Sequence, residues 1–286
     1  MWTTLRYTLS SLRGQVIGWG LGVAALGLIL IPFYDVFMAE QGGLMEMLES
    51  YPPELLAFFA GGAPSLTTTQ CALSMYGFSM LPVILGIFAV IVGSGLLASD
   101  EESGRLDLIV AHPVSRAALF WGRTLGFVTA TFGILLLGWL GFTVLLGGSS
   151  LDIGWGRMAL PFLPLLAQTM IYGALALLLS MVLPARRLAA AVAGVVMVAS
   201  YFLSSMASLH EGLAALARFL PYHYFQGGDA LNGLDWVPFL GLLAASGVLS
   251  VLAWWRFERR DIRVAGEGGW RLPDLRLRRT ETAREV

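Results

Sequence analysis

Residues 76–116 read YGFSMLPVILGIFAVIVGSGLLASDEESGRLDLIVAHPVSR. The stretch from 76 to 98 carries no charged side chain, and as a helix rising about 1.5 Å per residue it is long enough to cross roughly 30 Å of hydrocarbon. The stretch from 100 to 116 is the densest charge cluster before the C-terminal tail. An apolar run that ends in a charged segment is typical of a transmembrane helix followed by a loop in water.

Apolar runs of this kind recur along the whole chain. The protein is 57% hydrophobic and only 13% charged, whereas an ordinary soluble domain is about 25% charged. Six runs lack Asp, Glu, Lys, Arg and His altogether, at 14–34, 76–98, 124–146, 158–183, 188–209 and 236–255. The alternation of apolar and polar residues that marks barrel strands is missing. The sequence therefore predicts an all-α integral membrane protein with six transmembrane helices.

The arginines predict the orientation of these helices. The chain has no lysine, and with the N-terminus inside, only Arg157 and Arg218 of its 18 basic residues lie outside. Such a bias toward one side follows the positive-inside rule. We therefore expect both termini to be cytoplasmic.

The chain divides into three parts. Residues 1–13 place Trp2, Leu5, Leu9 and Leu12 on one helical face, which indicates an amphipathic elbow helix in the membrane interface or a plain lead-in to the first span. Residues 14–255 form the six-span transmembrane domain, which includes the polar hairpin 99–116 and two outer loops, 35–75 and 209–235. Residues 256–286 form a basic cytoplasmic tail that suits binding to anionic lipid.

Several functions are excluded by the residues that are missing. A Walker A loop needs a lysine on the phosphates, and this chain has none. The only near match to a zinc-protease motif, His210-Glu211, has Ala214 in place of the second histidine. We expect no catalytic residue, metal, cofactor or nucleic-acid partner. No predicted span carries the carboxylate or histidine relay of an ion-coupled transporter, so the energy comes from a partner or the path is passive.

The polar hairpin has its own local signals. Gly104 permits a bend or a close backbone contact, and Leu106 begins an apolar stripe on a predicted short helix at 105–111. Pro113 ends that helix, and Ser115 is positioned to cap the next span. The alternative is an amphipathic loop that rests on lipid headgroups.

Two further groups of residues are candidates for contacts inside the membrane. Small residues at helical spacing allow another helix to approach closely, either in a dimer or within the chain; they are Gly14, Gly18, Gly22, Ala190 and Gly194. Scarce polar residues within the spans are candidates for lining a transport path or for helix packing; they are Thr129, Thr131, Gln168, Tyr172, Ser200 and Tyr201.

The hairpin sequence E-E-x-G-R-L-D-L-I-V-A-H-P-V-S-R resembles the cytoplasmic loop of type-2 ABC transporter permeases, in which an E-x-G-x-L run precedes P-V-S-R. The segment L-P-Y-H-Y-F-Q-G-G-D in the last outer loop is similar to the proline-aromatic segment of that family. F-E-R-R-D after the sixth run looks like the family's F-x-R-R-D ending. The resemblance extends over residues 1–262.

This resemblance implies a half-transporter in the bacterial inner (plasma) membrane, paired with a second six-span permease that is identical or a sister chain. Two cytosolic ABC ATPase subunits would bind ATP and Mg, and the polar hairpin would be the coupling helix against them. Family members mostly export hydrophobic or amphipathic compounds, lipids or glycans. The implied contact and exit residues are Glu101, Glu102, Gly104, Arg105, Leu106, Leu108, His112, Pro113, Ser115 and Arg116. The alternatives are an ATP-independent secondary transporter or channel and a non-transporting membrane scaffold.

Overall fold

The computed structural model describes residues 1–39, 77–105, 115–149, 151, 153–207 and 210–259, and within these ranges the regular elements are all helices. The α-helices are α1 Trp2–Ala39, α2 Leu81–Gly95, α3 Ala98–Glu102, α4 Arg116–Val144, α5 Trp155–Ala159, α6 Phe162–Val182, α7 Arg186–Ser205, α8 Glu211–Ala217 and α9 Trp236–Arg259. Short 3-10 helices cover Leu146–Gly148, Pro221–Tyr224 and Gly227–Asn232.

Five helical segments are long and apolar enough to cross a membrane. They are Trp2–Tyr34, Arg116–Gly148, Trp155–Val182, Arg186–Ser205 and Trp236–Arg259. The prediction of an all-helical protein with several membrane-crossing helices is confirmed. The second predicted span is occupied by α2, which has only 15 residues, because the helix is interrupted by a turn at 96–97 before α3 begins.

Helices α1 and α4 lie side by side and run in the same direction. A Cβ added to Gly126 of α4 would meet Thr8 of α1, and one added to Gly141 would meet Ala24. Residue numbers therefore increase in the same direction along both helices. The glycines of α4 allow the two helices to approach closely. The chain between the two helices must return to the end from which α1 started.

The segment from Phe78 to Asp100 is that return. Phe78 lies against Phe142 of α4, with 5.5 Å between ring centroids, and Asp100 pairs with Arg123. The segment thus runs antiparallel to residues 123–142 of α4, which rise about 28 Å at 1.5 Å per residue. This rise is close to the thickness of a hydrocarbon core.

The remaining helices complete an alternating bundle around α6. Helix α6 is the most buried membrane-crossing segment, and it packs against α2, α7 and α9. Arg186 at the start of α7 lies beside Ser99, and Phe257 near the end of α9 lies against Phe120 of α4. We call the end of the bundle that carries residues 99–105 the hairpin end, and the opposite end, which carries 221–224, the loop end.

The N-terminal residues do not form a separate elbow. Residues 2–39 are one helix of 38 residues, about 57 Å long, without a break near residue 13. Helix α4 begins at Arg116, directly after the predicted Ser115 cap and about two turns before the charge-free run at 124–146. These extra turns of α4 give the first turns of α1 a packing partner, since Gly122 lies against Thr4, and the helix therefore continues where we expected an interfacial piece.

Candidate functional site

The polar hairpin begins with a sharp bend at Gly104. Its φ is 69°, in the left-handed region that glycine adopts without the steric penalty of a Cβ. The Gly104 N–H donates to the Glu101 carbonyl at 3.0 Å, and the Ser103 hydroxyl donates to the Asp100 carbonyl at 3.2 Å. These bonds satisfy the last carbonyls of α3. The predicted bend at Gly104 is confirmed.

The hairpin ends at a capped helix. Ser115 has extended backbone angles, and its side-chain oxygen accepts a hydrogen bond from the Ala118 N–H at 3.2 Å. The predicted N-cap is confirmed. Arg116 is half-buried, and its Nη1 donates to the Glu258 carbonyl at 3.4 Å, which connects the start of α4 to the end of α9. Four predicted contact residues, Leu106, Leu108, His112 and Pro113, lie outside the described residues.

A buried ion pair joins α3 to α4. Asp100 accepts a hydrogen bond from Arg123 Nη2, and the two side chains are 10% and 8% exposed. The guanidinium of Arg123 also lies 5.0 Å from the ring centroid of Tyr7 on α1. Sequence reasoning missed this pair and placed Arg123 just before a span. A signal was present, since Arg123 follows the Ser115 cap by two helical turns and therefore lies within the helix.

A second connection joins α3 to α7. The backbone N–H of Arg186 donates to Glu102 Oε1 at 3.3 Å, and Arg186 Nη1 donates to Ser99 Oγ at 3.5 Å. A carboxylate at the first turn of a helix is electrostatically favourable. Gly95 leaves room for the guanidinium, because a Cβ at this position would lie 3.1 Å from it.

The other two hairpin residues differ in exposure. Glu101 is 5% exposed, whereas Arg105, directly after the bend, is exposed. Among the described residues of the hairpin, Glu101 therefore faces the bundle, whereas Glu102 and Arg105 are charged side chains exposed at its surface.

At the loop end, four of the predicted path residues lie together. The Gln168 side-chain N–H donates to the Tyr172 hydroxyl at 3.0 Å, and Tyr172 lies beside the Ser200 hydroxyl. Ser200 Oγ accepts from the Tyr222 backbone N–H at 3.0 Å. This network connects α6 and α7 to the 3-10 helix that carries the proline-aromatic segment.

Tyr222 closes this network. Its ring meets that of Tyr201 edge-on at 5.0 Å, and its hydroxyl donates to the Ser79 carbonyl at 3.2 Å. Burial raises the pKa of the Tyr222 phenol, so the hydroxyl stays protonated as a donor. Sequence reasoning named the segment but not this residue. The other two candidates lie elsewhere, with Thr129 exposed and Thr131 buried, each donating to a carbonyl of its own helix.

The small residues are divided between surface and core. In the described part of the chain, no atom of another element lies within 4 Å of an added Cβ at Gly14, Gly18, Gly22 or Gly194. Ala190 packs against the core. Within the described chain, α1 instead approaches α4 through Gly20 and Gly27, which meet Leu137 and Phe142. The stripe on α1 therefore faces away from the described bundle, and no contact among the described residues accounts for it.

Comparison with known proteins identifies the family. A family model described as ABC-2 family transporter protein matches residues 18–262, which is most of the chain and includes the polar hairpin. No curated protein matches the sequence. Among the described residues, no group of three metal-ligating side chains occurs. Membrane components of ABC-2 transporters are typically non-catalytic and generally act with an ATPase. The chain belongs to the ABC-2 transporter family, as a multi-pass membrane component.

Proposed function

We propose that this chain is the permease subunit of an ATP-driven exporter in the bacterial plasma membrane, with six crossings and with ATP and Mg bound by two separate cytosolic ATPase subunits. The observation that carries the proposal is the attachment of the polar hairpin to the bundle. Helix α3 is held to α4 by the Asp100–Arg123 pair and to α7 by the Glu102–Arg186 bond.

These attachments explain how a force on the hairpin would reach the spans. Helix α3 continues from α2 through a two-residue turn, so a displacement of the hairpin acts on α2, α4 and α7 at once. Packed helices shift as units between discrete arrangements. In this proposal Arg105 and Gly104 contact the ATPase together with Leu106 and Leu108, and Ser115 fixes the exit of the chain into α4.

The distribution of arginines supports a cytoplasmic hairpin end. The arginines of the described residues at this end are Arg6, Arg13, Arg105, Arg116, Arg123, Arg186, Arg187, Arg256 and Arg259. Arg157 and Arg218 are at the loop end. This arrangement follows the positive-inside rule, and it supports a cytoplasmic position for both the N-terminus and the end of α9.

Features of the loop end support a hydrophobic or amphipathic cargo. A mostly apolar cavity of about 610 Å³ lies between α6, α9 and the segment around Leu220 and Tyr224, which is within the usual size range of small-molecule sites. Gln168 is fully buried, and its Oε1 has no hydrogen-bond partner among the described residues. Gln168 does not line this cavity, so its acceptor would meet a donor group of the cargo only if a rearrangement of the helices exposed it.

The outward stripe on α1 supports a second six-span subunit. Gly14, Gly18 and Gly22 are exposed and recur every four residues, and small residues let two membrane helices approach closely. We propose that this face and the Gly194 region of α7 contact an identical or sister permease.

The proposal is tested by affinity purification from native membranes in mild detergent. Wild type should retain a soluble protein with a Walker A lysine in stoichiometric amount. Arg105→Glu should lose it, because the reversed charge lies at the proposed contact. Arg187→Glu makes the same charge change at an exposed position of the same end and should retain it.

Purification of every variant without an ATPase would contradict the proposal. It would favour an ATP-independent secondary transporter or channel. Retention of the ATPase without any ATP-dependent change in the permease would favour a membrane scaffold.

A further inference from the structure

A cavity of about 190 Å³ lies at the hairpin end, between the first turns of α1, the end of α2, and parts of α3, α4 and α7. Nothing in the coupling proposal uses it. Three guanidinium groups line it, those of Arg105, Arg123 and Arg186. Tyr7 and Gln15 of α1 add further hydrogen-bonding groups.

The charges of this lining do not balance. Among the described residues, Asp100 is the single carboxylate on the wall, and it is already paired with Arg123. Glu101 and Glu102 belong to the same short helix but do not line the cavity, and Glu102 Oε1 accepts the backbone N–H of Arg186. The described part of the lining therefore carries three positive charges and one negative charge.

One donor in this region has no acceptor. Nε of Arg123 is buried without a hydrogen-bond partner among the described residues, although buried donors are nearly always satisfied. The excess of guanidinium groups around this cavity and the unpaired Nε of Arg123 both favour the binding of an anion.

We propose that this cavity binds the phosphate group of an anionic lipid headgroup. Guanidinium groups bind phosphate oxygens through parallel charge-assisted hydrogen bonds, and basic pockets between transmembrane helices at the cytoplasmic side are suited to anionic headgroups. The cavity is several times larger than the roughly 30 Å³ occupied by one water. Leu12 and Ile91 on its wall offer apolar contacts to the lipid beyond the phosphate.

The position of the site gives the lipid a structural role. Its lining comes from α1, α3, α4 and α7, the helices that meet at the base of the polar hairpin. A bound phosphate stabilises this junction, because it bridges Arg186 of α7 to Arg105 beside the bend.

The site is tested by thermal unfolding of the purified chain in a neutral detergent, titrated with phosphatidylglycerol, phosphatidylcholine or inorganic phosphate. Phosphatidylglycerol should raise the unfolding temperature of wild type more than the other two. Arg186→Gln should weaken the apparent affinity for phosphatidylglycerol by about tenfold, because one charge-assisted contact is lost. Arg187→Gln is the matched control, since Arg187 is exposed and outside the cavity, and it should keep the wild-type affinity.

Three results would overturn the proposal. Equal loss in Arg186→Gln and Arg187→Gln would assign the effect to surface charge. Equal stabilisation by phosphatidylcholine would remove the selectivity for an anionic headgroup. Saturation by inorganic phosphate, with no further effect of lipid, would assign the site to a soluble anion. If Arg186→Gln does not fold, Arg105→Gln replaces it, because that side chain is exposed. The measurement needs no ATPase, so it is independent of the proposed function.

Discussion

The buried pair between Asp100 and Arg123 gives the sharpest prediction of stability. The two side chains are 10% and 8% exposed, and the removal of one partner leaves the other charge buried and uncompensated. Such a loss typically costs about 3–5 kcal/mol. Both residues line the cavity at the hairpin end, so water reaches one side of the pair, and we place the cost near 3 kcal/mol for either Asp100→Leu or Arg123→Met.

The double variant distinguishes the pair from simple packing. With both charges replaced by apolar side chains no uncompensated charge remains, and such replacements are often close to neutral. The double variant should therefore lose much less stability than the sum of the two single variants, with a coupling energy of roughly 2–3 kcal/mol. The contact between Arg123 and the Tyr7 ring is lost in Arg123→Met and in the double variant alike. It therefore cancels in the coupling energy.

The assay is reversible unfolding of the purified protein in mixed micelles with increasing denaturing detergent, followed by circular dichroism. Arg187→Met is the control, because the side chain is exposed and the change should stay within about 0.5 kcal/mol. Losses in the single variants that add up in the double variant would refute the reasoning, since they would show that the two charges do not stabilise each other.

Three further predictions concern the folded bundle and are checked by the same unfolding assay. Gly104→Ala should cost about 1–2 kcal/mol, because an added Cβ is unfavourable at a φ of 69°; an unchanged stability would refute the left-handed bend. Gly141→Ala should cost about 1–3 kcal/mol, because its Cβ meets the backbone of α1, whereas Gly22→Ala, with open space around it, should not destabilise the monomer; equal effects would contradict the packing of α1 on α4. Tyr222→Phe should cost about 1 kcal/mol through the lost bond to the Ser79 carbonyl, and a neutral result would place that hydroxyl in solvent.

Local features of the hairpin were predictable because their causes are local. A bend at Gly104 follows from the freedom of glycine, and a helix start at Ser115 follows from the side-chain cap. Long apolar helices likewise cover five of the six predicted runs, because a charge-free run of sufficient length has few alternatives in lipid. The family match over residues 18–262 confirms the resemblance seen in the hairpin and ending motifs.

Features that depend on the relative position of helices were not predictable. Asp100 and Arg123 are separated by a polar hairpin, and they meet only because α2 runs antiparallel to α4. The elbow expected at residues 1–13 continues into the span because α4 extends far enough to pack beside it. The spacing of Gly14, Gly18 and Gly22 identifies a face of α1, but only the packing against α4 shows that this face is outside.

The candidate path residues illustrate the same limit. Gln168, Tyr172, Ser200 and Tyr201 were chosen because polar side chains are scarce in the spans, and the structure brings these four together at the loop end. Thr129 shares that scarcity, yet it bonds only to its own helix. Polarity alone does not distinguish a residue that hydrogen-bonds to another helix from one that hydrogen-bonds to a backbone carbonyl of its own helix.

The central claim is that ATP acts on the hairpin end and that the loop end responds. The most direct test is the rate of thiol labelling at the loop end in the reconstituted complex, with Cys71→Ser to remove the native cysteine and Phe219→Cys, at a position 88% exposed, as the reporter. The account predicts that ATP and Mg change the labelling rate several-fold and that Arg105→Glu abolishes the change, while Arg187→Glu preserves it. A rate that ignores ATP, or that responds equally in Arg105→Glu, would contradict the account.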